Sequence, residues 1–407
     1  MQQAELLLPA GDLDKLKTAV GFGADAVYAG GKEYSLRAAA GNLSLQEMTE
    51  GLHYVHARGK KLYVTVNILA RNRDLKNLPA YLEELARLQV DGVIISDPGV
   101  MKMALKYAPD IPITISTQAN ITNYEAAAFY RDMGASRLVL ARELSLEEMI
   151  EIKGRVEIEL EVFVHGAMCV SYSGRCLLSH YMTGRSANAG ECAHPCRYRY
   201  QLVEEKRPQE FFPIEEDEGG SYILNSRDLC LLPYIPQLAE AGIDSFKIEG
   251  RMKSALYVAV AASIYRQALD YYYRHGDGFS EEQLHAWLEE LRGVAPRPFT
   301  NGFIEGESPL LQDINREAQP RRIEFCGIVR GYDQSGACLA IEQRANFGPG
   351  DQLQLMLADG RILDFAPAAL FDENGVELDR ARHAKQKVYA HFPQKIAEGS
   401  ILRRVVG

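Results

Sequence analysis

Four of the seven cysteines of this 407-residue chain fall in one stretch, CVSYSGRCLLSHYMTGRSANAGECAHPC, at positions 169–196. Cys169, Cys176, Cys192 and Cys196 are spaced C-x6-C, fifteen residues, then C-x3-C. Thiolates grouped in this way do one of three things: pair as disulfides, hold zinc, or hold an iron–sulfur cluster. The opening MQQAELLLPAGDLDKL has no basic region followed by a long apolar run, so it does not read as a secretory signal. A cytoplasmic location is therefore expected, and in a reducing compartment clustered cysteines bind metal more often than they pair. Zinc sites use two short C-x2–4-C knuckles; Cys192 and Cys196 fit that spacing, Cys169 and Cys176 do not. Iron–sulfur clusters accept more varied spacing and need only four thiolates. Spacing alone leaves both metals open. The remaining Cys230, Cys326 and Cys338 are scattered and read as buried thiols.

The elements around the cysteines follow from periodicity. Short apolar runs recur at ELLLPA (5–10), DAVYAG (25–30), KLYVTVN (61–67), DGVIISD (91–97), ITIST (113–117), RLVLAR (137–142), ELEVFVHG (159–166) and SFKIEG (245–250). Amphipathic helical stretches separate most of them. Near-continuous apolar strands joined by helices imply a parallel sheet covered on both faces. Eight such units predict a (β/α)8 TIM-like barrel over residues 1–293. An open doubly wound sheet is the alternative, but no GxGxxG follows the first strand. YILNSRDL (222–229) reads as an extra strand or loop near the barrel mouth, followed by the helix LLPYIPQLAEAG. Residues 294–321 are rich in Pro, Gly and polar side chains and read as a linker. From 322 to 407 the pattern changes to short alternating runs between turns such as FGPGD and ADGR, which predicts a small antiparallel β-barrel domain.

In a parallel barrel the working face lies at the C-terminal ends of the strands. That rule selects Tyr28, Asn67, Asp97, Gln118, Arg142, His165, Glu249 and Arg251. Such residues also cap helices and satisfy loop amides, so each competes with a structural role. The cysteine stretch follows the seventh strand directly, which would deliver Cys169 to the mouth.

EVFVHGAMCVSYSGRCLLS resembles the signature of the collagenase-like peptidase family, family U-thirty-two, through Glu161, Phe163, Gly166, Ala167, Met168, Cys169, Gly174, Cys176 and Ser179. LLLPAGDLDKLKTAVGFGADAVYAGG is similar to that family's first barrel unit. RPQEFFPIEEDEGGSYILNSRDLC and DSFKIEGRMKS resemble the branch that hydroxylates tRNA. The resemblance covers essentially the whole barrel. It implies an oxygen-independent hydroxylase that forms 5-hydroxyuridine at the wobble position of tRNA, with prephenate as the hydroxyl donor. It also implies a 4Fe-4S cluster on Cys169, Cys176, Cys192 and Cys196. The peptidase activity in the family's name has weaker support: HExxH and GxSxG are both absent. A Cys169 nucleophile paired with His165 or His194 would leave the other three cysteines unexplained. A zinc-stabilised RNA-binding protein without chemistry is the third reading.

No run of about eighteen apolar residues occurs, so no membrane-spanning helix is expected. A net charge of −10 excludes a uniformly basic surface but not a local basic face. HARGKK (56–61), CRYRYQ (196–201) and LRRVV (402–406) are candidate RNA contacts, each as readily a solvated surface. CRYRYQ abuts the cysteines; Arg197 and Arg199 could touch the RNA backbone while Tyr198 or Tyr200 stacks on a base. Arg251 could pair with a carboxylate of the donor, or with Glu249 internally. The C-terminal domain, ending in LRRVVG after ARHAKQK (381–387), is expected to hold tRNA, with a lid or dimer contact as the alternative. Its removal is expected to leave the barrel intact.

Overall fold

The computed structural model describes residues 3–35, 41–168, 178–183, 202–204, 207–212, 215–217, 220–222, 227–295, 297–306, 322–334 and 336–406. The first strands are β1 (Glu5–Ala10), β2 (Ala26–Gly30), β3 (Lys61–Val66), β4 (Gly92–Ile95), β5 (Ile113–Ile115), β6 (Arg137–Val139) and β7 (Glu159–Ala167). Two short ribbons follow: β8 (Leu202–Glu204) with β9 (Arg207–Phe212), and β10 (Glu215–Asp217) with β11 (Gly220–Tyr222). Then come β12 (Asp228–Cys230) and β13 (Ser245–Ile248). Strands β1 to β7 pair in parallel and in order, and β13 pairs with both β7 and β1, closing an eight-stranded barrel.

Alternation along each strand explains the two-sided burial. Leu6, Leu8, Val27, Ala29, Leu62, Val64, Val93 and Ile95 join the core under the helices. Leu7, Ala26, Tyr28, Tyr63 and Ile94 form a separate cluster inside the barrel. The helices are α1 (Leu13–Gly21), α2 (Leu45–His56), α3 (Leu78–Leu88), α4 (Pro98–Tyr107), α5 (Tyr124–Asp132), α6 (Leu146–Arg155), α7 (Leu178–Thr183), α8 (Ile235–Glu240), α9 (Ala255–His275) and α10 (Glu281–Val294). Their starts are written locally. Ser44 with Glu47 and Ser145 with Glu148 form capping boxes, and Asp97 accepts from the Val100 amide before Pro98 opens α4.

The extra strand has a physical reason. β6 is only three residues long and pairs with Glu159 to Glu161, leaving the upper edge of β7 without a neighbour on that side. β12 fills it antiparallel, Asp228 against Ala167 and Cys230 against His165. β14 (Phe299–Thr300), inside the segment read as a linker, then pairs with β12 in parallel, and Ile304 joins the barrel core.

The C-terminal region forms β15 (Ile323–Asp333), β16 (Cys338–Gln343), β17 (Leu353–Met356), β18 (Ile362–Phe365), β19 (Leu370–Phe371), β20 (Glu377–Leu378), β21 (Lys387–His391) and β22 (Ile401–Val405). They make one antiparallel sheet in the order β18-β17-β22-β15-β16-β21-β19-β20 around its own core, which includes Val329, Ile341, Phe347, Leu355 and Val388. This sheet is also docked on the barrel: Ile323, Ile328, Met356 and Ile401 belong to the barrel's core cluster.

Candidate active site

The floor of the barrel is ionic. At the N-terminal ends of the strands Arg137 lies 2.5 Å from Glu5, 2.8 Å from Glu159 and 3.2 Å from Glu161. Glu161 in turn binds Lys247 at 2.7 Å, and Tyr63 donates to Glu5 at 2.7 Å. Burial opposes the charge on Arg137, but Glu161 and Glu5 overcome it and hold the guanidinium well above its ordinary value. Burial draws the Lys247 ammonium below its ordinary value against the pull of Glu161. Lys247 also sits 4.5 Å from the centre of the Tyr28 ring. Glu161, the first residue of the family-like signature, is thus a buried counter-ion for two cations.

The C-terminal mouth is polar. After β3 and β5, Asn67 Nδ2 donates to Gln118 Oε1 at 2.9 Å, and Ser116 donates to the same oxygen at 3.2 Å. Gln118 lies on a turn at Thr117–Ala119, buried among these partners. Arg142 stacks over the Phe163 ring at 3.9 Å and donates to the Ala167 carbonyl at 2.9 Å. It therefore fixes the end of β7 two residues before Cys169. Asp97, another strand-end candidate, is occupied as a helix cap.

Arg251 is 4% exposed and is held by neutral oxygens: Ser35 at 3.0 Å, Thr65 at 3.4 Å, and Asn42. No ion pair joins it to Glu249 among the described residues; Glu249 is tied through its backbone, its amide to the His165 carbonyl and its carbonyl to the Tyr257 hydroxyl. A side chain on Gly30 would drive into Arg251, Ser35 and Asn42, so glycine there makes room for the guanidinium.

His165 is in the wall rather than in the open mouth. It is 1% exposed, with Tyr265, Phe299 and Tyr257 rings at 5.5, 5.4 and 5.9 Å. Burial, with a smaller push from Lys253, lowers its pKa to about 4, although the Asp228 carboxylate opposes this. Asp228 is itself buried, with Lys253 and Arg297 each 3.7 Å away. Asp228, Lys253, Arg297 and Tyr265 were not selected by the strand-end rule. Asp228 belongs to the inserted strand and Arg297 to the segment read as a linker. The only signals were YILNSRDL, read near the mouth, and the family-like DSFKIEGRMKS that contains Lys253. Cys169, Cys176, Cys192, Cys196, Arg197 and Arg199 lie outside the described residues, and among the described residues no group of His, Cys, Asp or Glu is arranged to hold a metal.

The basic patches divide. HARGKK is at the opposite end of the barrel from the mouth, leading into β3, with His56 on Asp91 and Lys60 on Asp25. In LRRVV, Arg403 is 1% exposed and clamps Glu290 of α10 at 2.6 Å, which removes it from any RNA-facing surface. Arg404 reaches Asp351 and Glu324, and Arg382 of ARHAKQK forks onto Asp379.

These features define a (β/α)8-barrel protein with charged and amide side chains gathered at the C-terminal ends of its strands, joined to an antiparallel domain. Residues 11–312 match peptidase family U32 and residues 321–403 match the peptidase family U32 C-terminal domain. The chain belongs to peptidase family U32. It is 39% identical to "tRNA hydroxylation protein P1" of Bacillus subtilis, over 99% of this chain and 95% of that protein. It is 36% identical to "tRNA hydroxylation protein P" of Escherichia coli, over 89% and 88% of the two chains. A "23S rRNA 5-hydroxycytidine C2501 synthase" of Escherichia coli is 37% identical over 65% of this chain and 39% of that protein.

Proposed function

We propose that this chain is an RNA-modifying hydroxylase acting on tRNA in the cytoplasm, forming 5-hydroxyuridine at the wobble position. The observation that carries the reading is likeness along nearly the whole length, barrel and C-terminal domain together, to proteins named for tRNA hydroxylation. The mouth suits a polar substrate, with Asn67, Gln118, Arg142, Glu249 and Arg251 at the strand ends and Asn67 bonded to Gln118. Cys169, Cys176, Cys192 and Cys196 would be the donor set for a 4Fe-4S cluster, the first of them two residues beyond the end of β7 in the sequence. When bound, the cluster would supply electron transfer or activation of the donor. Prephenate is the proposed hydroxyl donor.

A peptidase gains nothing from the described residues. Cys230, the thiol beside His165 in the sheet, is buried and its pKa is pushed up to about 11, the opposite of an activated nucleophile. Ribosomal RNA is the second reading, favoured by the relative named for 5-hydroxycytidine.

Nucleoside mass spectrometry on tRNA and rRNA from cells lacking the protein tests substrate and product together. Loss of 5-hydroxyuridine from tRNA is expected; loss of a hydroxylated cytidine from rRNA would move the substrate, and no change in either would refute the function. Protein purified without oxygen is expected to be brown and to carry about four irons with inorganic sulfide, lost in Cys176→Ala. Colourless protein with stoichiometric zinc would overturn the cluster.

A further inference from the structure

The wall beside β7 holds polar atoms whose arrangement implies a task. The Tyr265 hydroxyl donates its one proton to the Val164 carbonyl at 2.8 Å. The same oxygen lies 3.4 Å from His165 Nδ1, so the contact is made only if Nδ1 carries the proton and donates. Nε2 of the neutral ring is then a bare lone pair, and it is buried with no hydrogen-bond partner among the described residues. Both oxygens of Asp228 are likewise buried without hydrogen bonds. Near Asp228 lie the cations Lys253 and Arg297, each 3.7 Å away, and leaving Nε2 buried without a donor is costly unless a polar group or water reaches it. Among the described residues, the titratable groups placed against this ring have definite effects. Asp228 favours the imidazolium and Lys253 disfavours it, while Tyr257, Tyr265 and Cys230 stay neutral because burial raises their pKa values. Arg297 lies 3.7 Å from Asp228.

We propose that His165 is a proton acceptor with a fixed tautomer, oriented by Tyr265 and served by Asp228 once it is charged. The role rests on the hydroxylase reading. Moving a hydroxyl from an alcohol donor to C5 of a pyrimidine breaks the donor's C–O bond and forms one on the base. The base, oxidised by two electrons, sheds its C5 proton; the donor carbon, reduced by two, takes one up. A proton must be held between the two, and His165 Nε2, reached through a water, is the bare acceptor at the end of β7. Tyr265 and Asp228 act through His165 and are positioning residues.

The test uses full-length protein labelled with 15N-histidine. The imidazole signal missing from His165→Gln is expected to show protonated Nδ1 and bare Nε2 at pH 7, without titration down to pH 5.5. Single-turnover hydroxylation of unmodified tRNA is expected to slow about 100-fold or more in His165→Gln, with tRNA affinity and circular dichroism unchanged. Tyr265→Phe is expected to mix the tautomers and slow turnover less. An Nε2-protonated ring, ordinary titration near pH 6.5, or wild-type turnover in His165→Gln would each overturn the inference. Wild-type protein that hydroxylates no RNA would instead overturn the functional reading, and the proton-acceptor role with it.

Discussion

At the scale of single residues, His165 links stability to pH with a definite sign. Its pKa in the folded protein, about 4, lies below the ordinary 6.5 because burial penalises the cation. As pH falls from 6.5 toward 4 the unfolded chain takes up a proton that the native state refuses, so stability is lost across that window. Between pH 7 and pH 5 this one group is expected to cost about 2 kcal/mol. Urea unfolding of wild type and His165→Gln at both pH values checks it, the variant falling by about 2 kcal/mol less. Parallel losses in the two proteins would mean that the ring titrates normally. Arg251 is a different case, a matter of packing and acceptors. Its placement depends on Gly30 leaving space and on Ser35, Thr65 and Asn42 supplying acceptors.

At the scale of elements, the top of β7 is where the strand meets the inserted β12. Gly166 has φ of +108°, and a Cβ there would sit 2.6 Å from the Glu249 carbonyl oxygen. Backbone conformation and close approach both exclude a side chain. Gly166→Ala is expected to destabilise the protein by about 1–3 kcal/mol and to loosen β12 from β7. Hydrogen exchange provides the check: the Leu231 amide, which donates to the Val164 carbonyl at 2.8 Å, should lose protection before amides of β3 and β4. Unchanged protection at Leu231 would show that β12 holds without this geometry.

At the scale of the molecule, the C-terminal sheet is joined to the barrel by charge and by core. Arg330 forks onto Asp14 of α1 at 3.0 and 2.7 Å, with Arg344 and Glu342 completing the network. Burial raises the Asp14 pKa, but Arg330 and Arg344 more than offset that and hold the carboxyl below its ordinary value. Arg403 reaches Glu290, and Ile323 lies against Gly293 of α10. Arg403→Ala is expected to cost about 2 kcal/mol, since it removes charge-assisted hydrogen bonds to the half-buried Glu290 and a bond to Gln354. Removing residues 322–407 is expected to bare apolar surface on α9 and α10 and lower barrel solubility, rather than leave an intact barrel. Sedimentation of the truncated chain decides this; a monodisperse, fully folded barrel would return the domain to the separable role expected from the linker.

Much of the architecture was legible because it depends on neighbours in the chain. Apolar runs such as KLYVTVN, capping boxes at Ser44 and Ser145, and the change from helical to alternating pattern after residue 321 are short-range signals, and they marked all eight barrel strands. Strand-end position brought Asn67, Gln118, Arg142 and Arg251 to the mouth for the same reason. Which polar groups meet there was decided only by closure. β13 beside β1 and β7 brings Arg251 to Ser35 and Lys247 to Glu161, and the short β6 lets β12 carry Asp228 in beside Ala167. Arg403, basic and terminal in sequence, became a buried clamp because folding placed Glu290 opposite it. Local preferences rest on dihedrals and on alternation between faces, whereas the partner of a buried charge is whatever distant segment the closed barrel sets within a few ångströms.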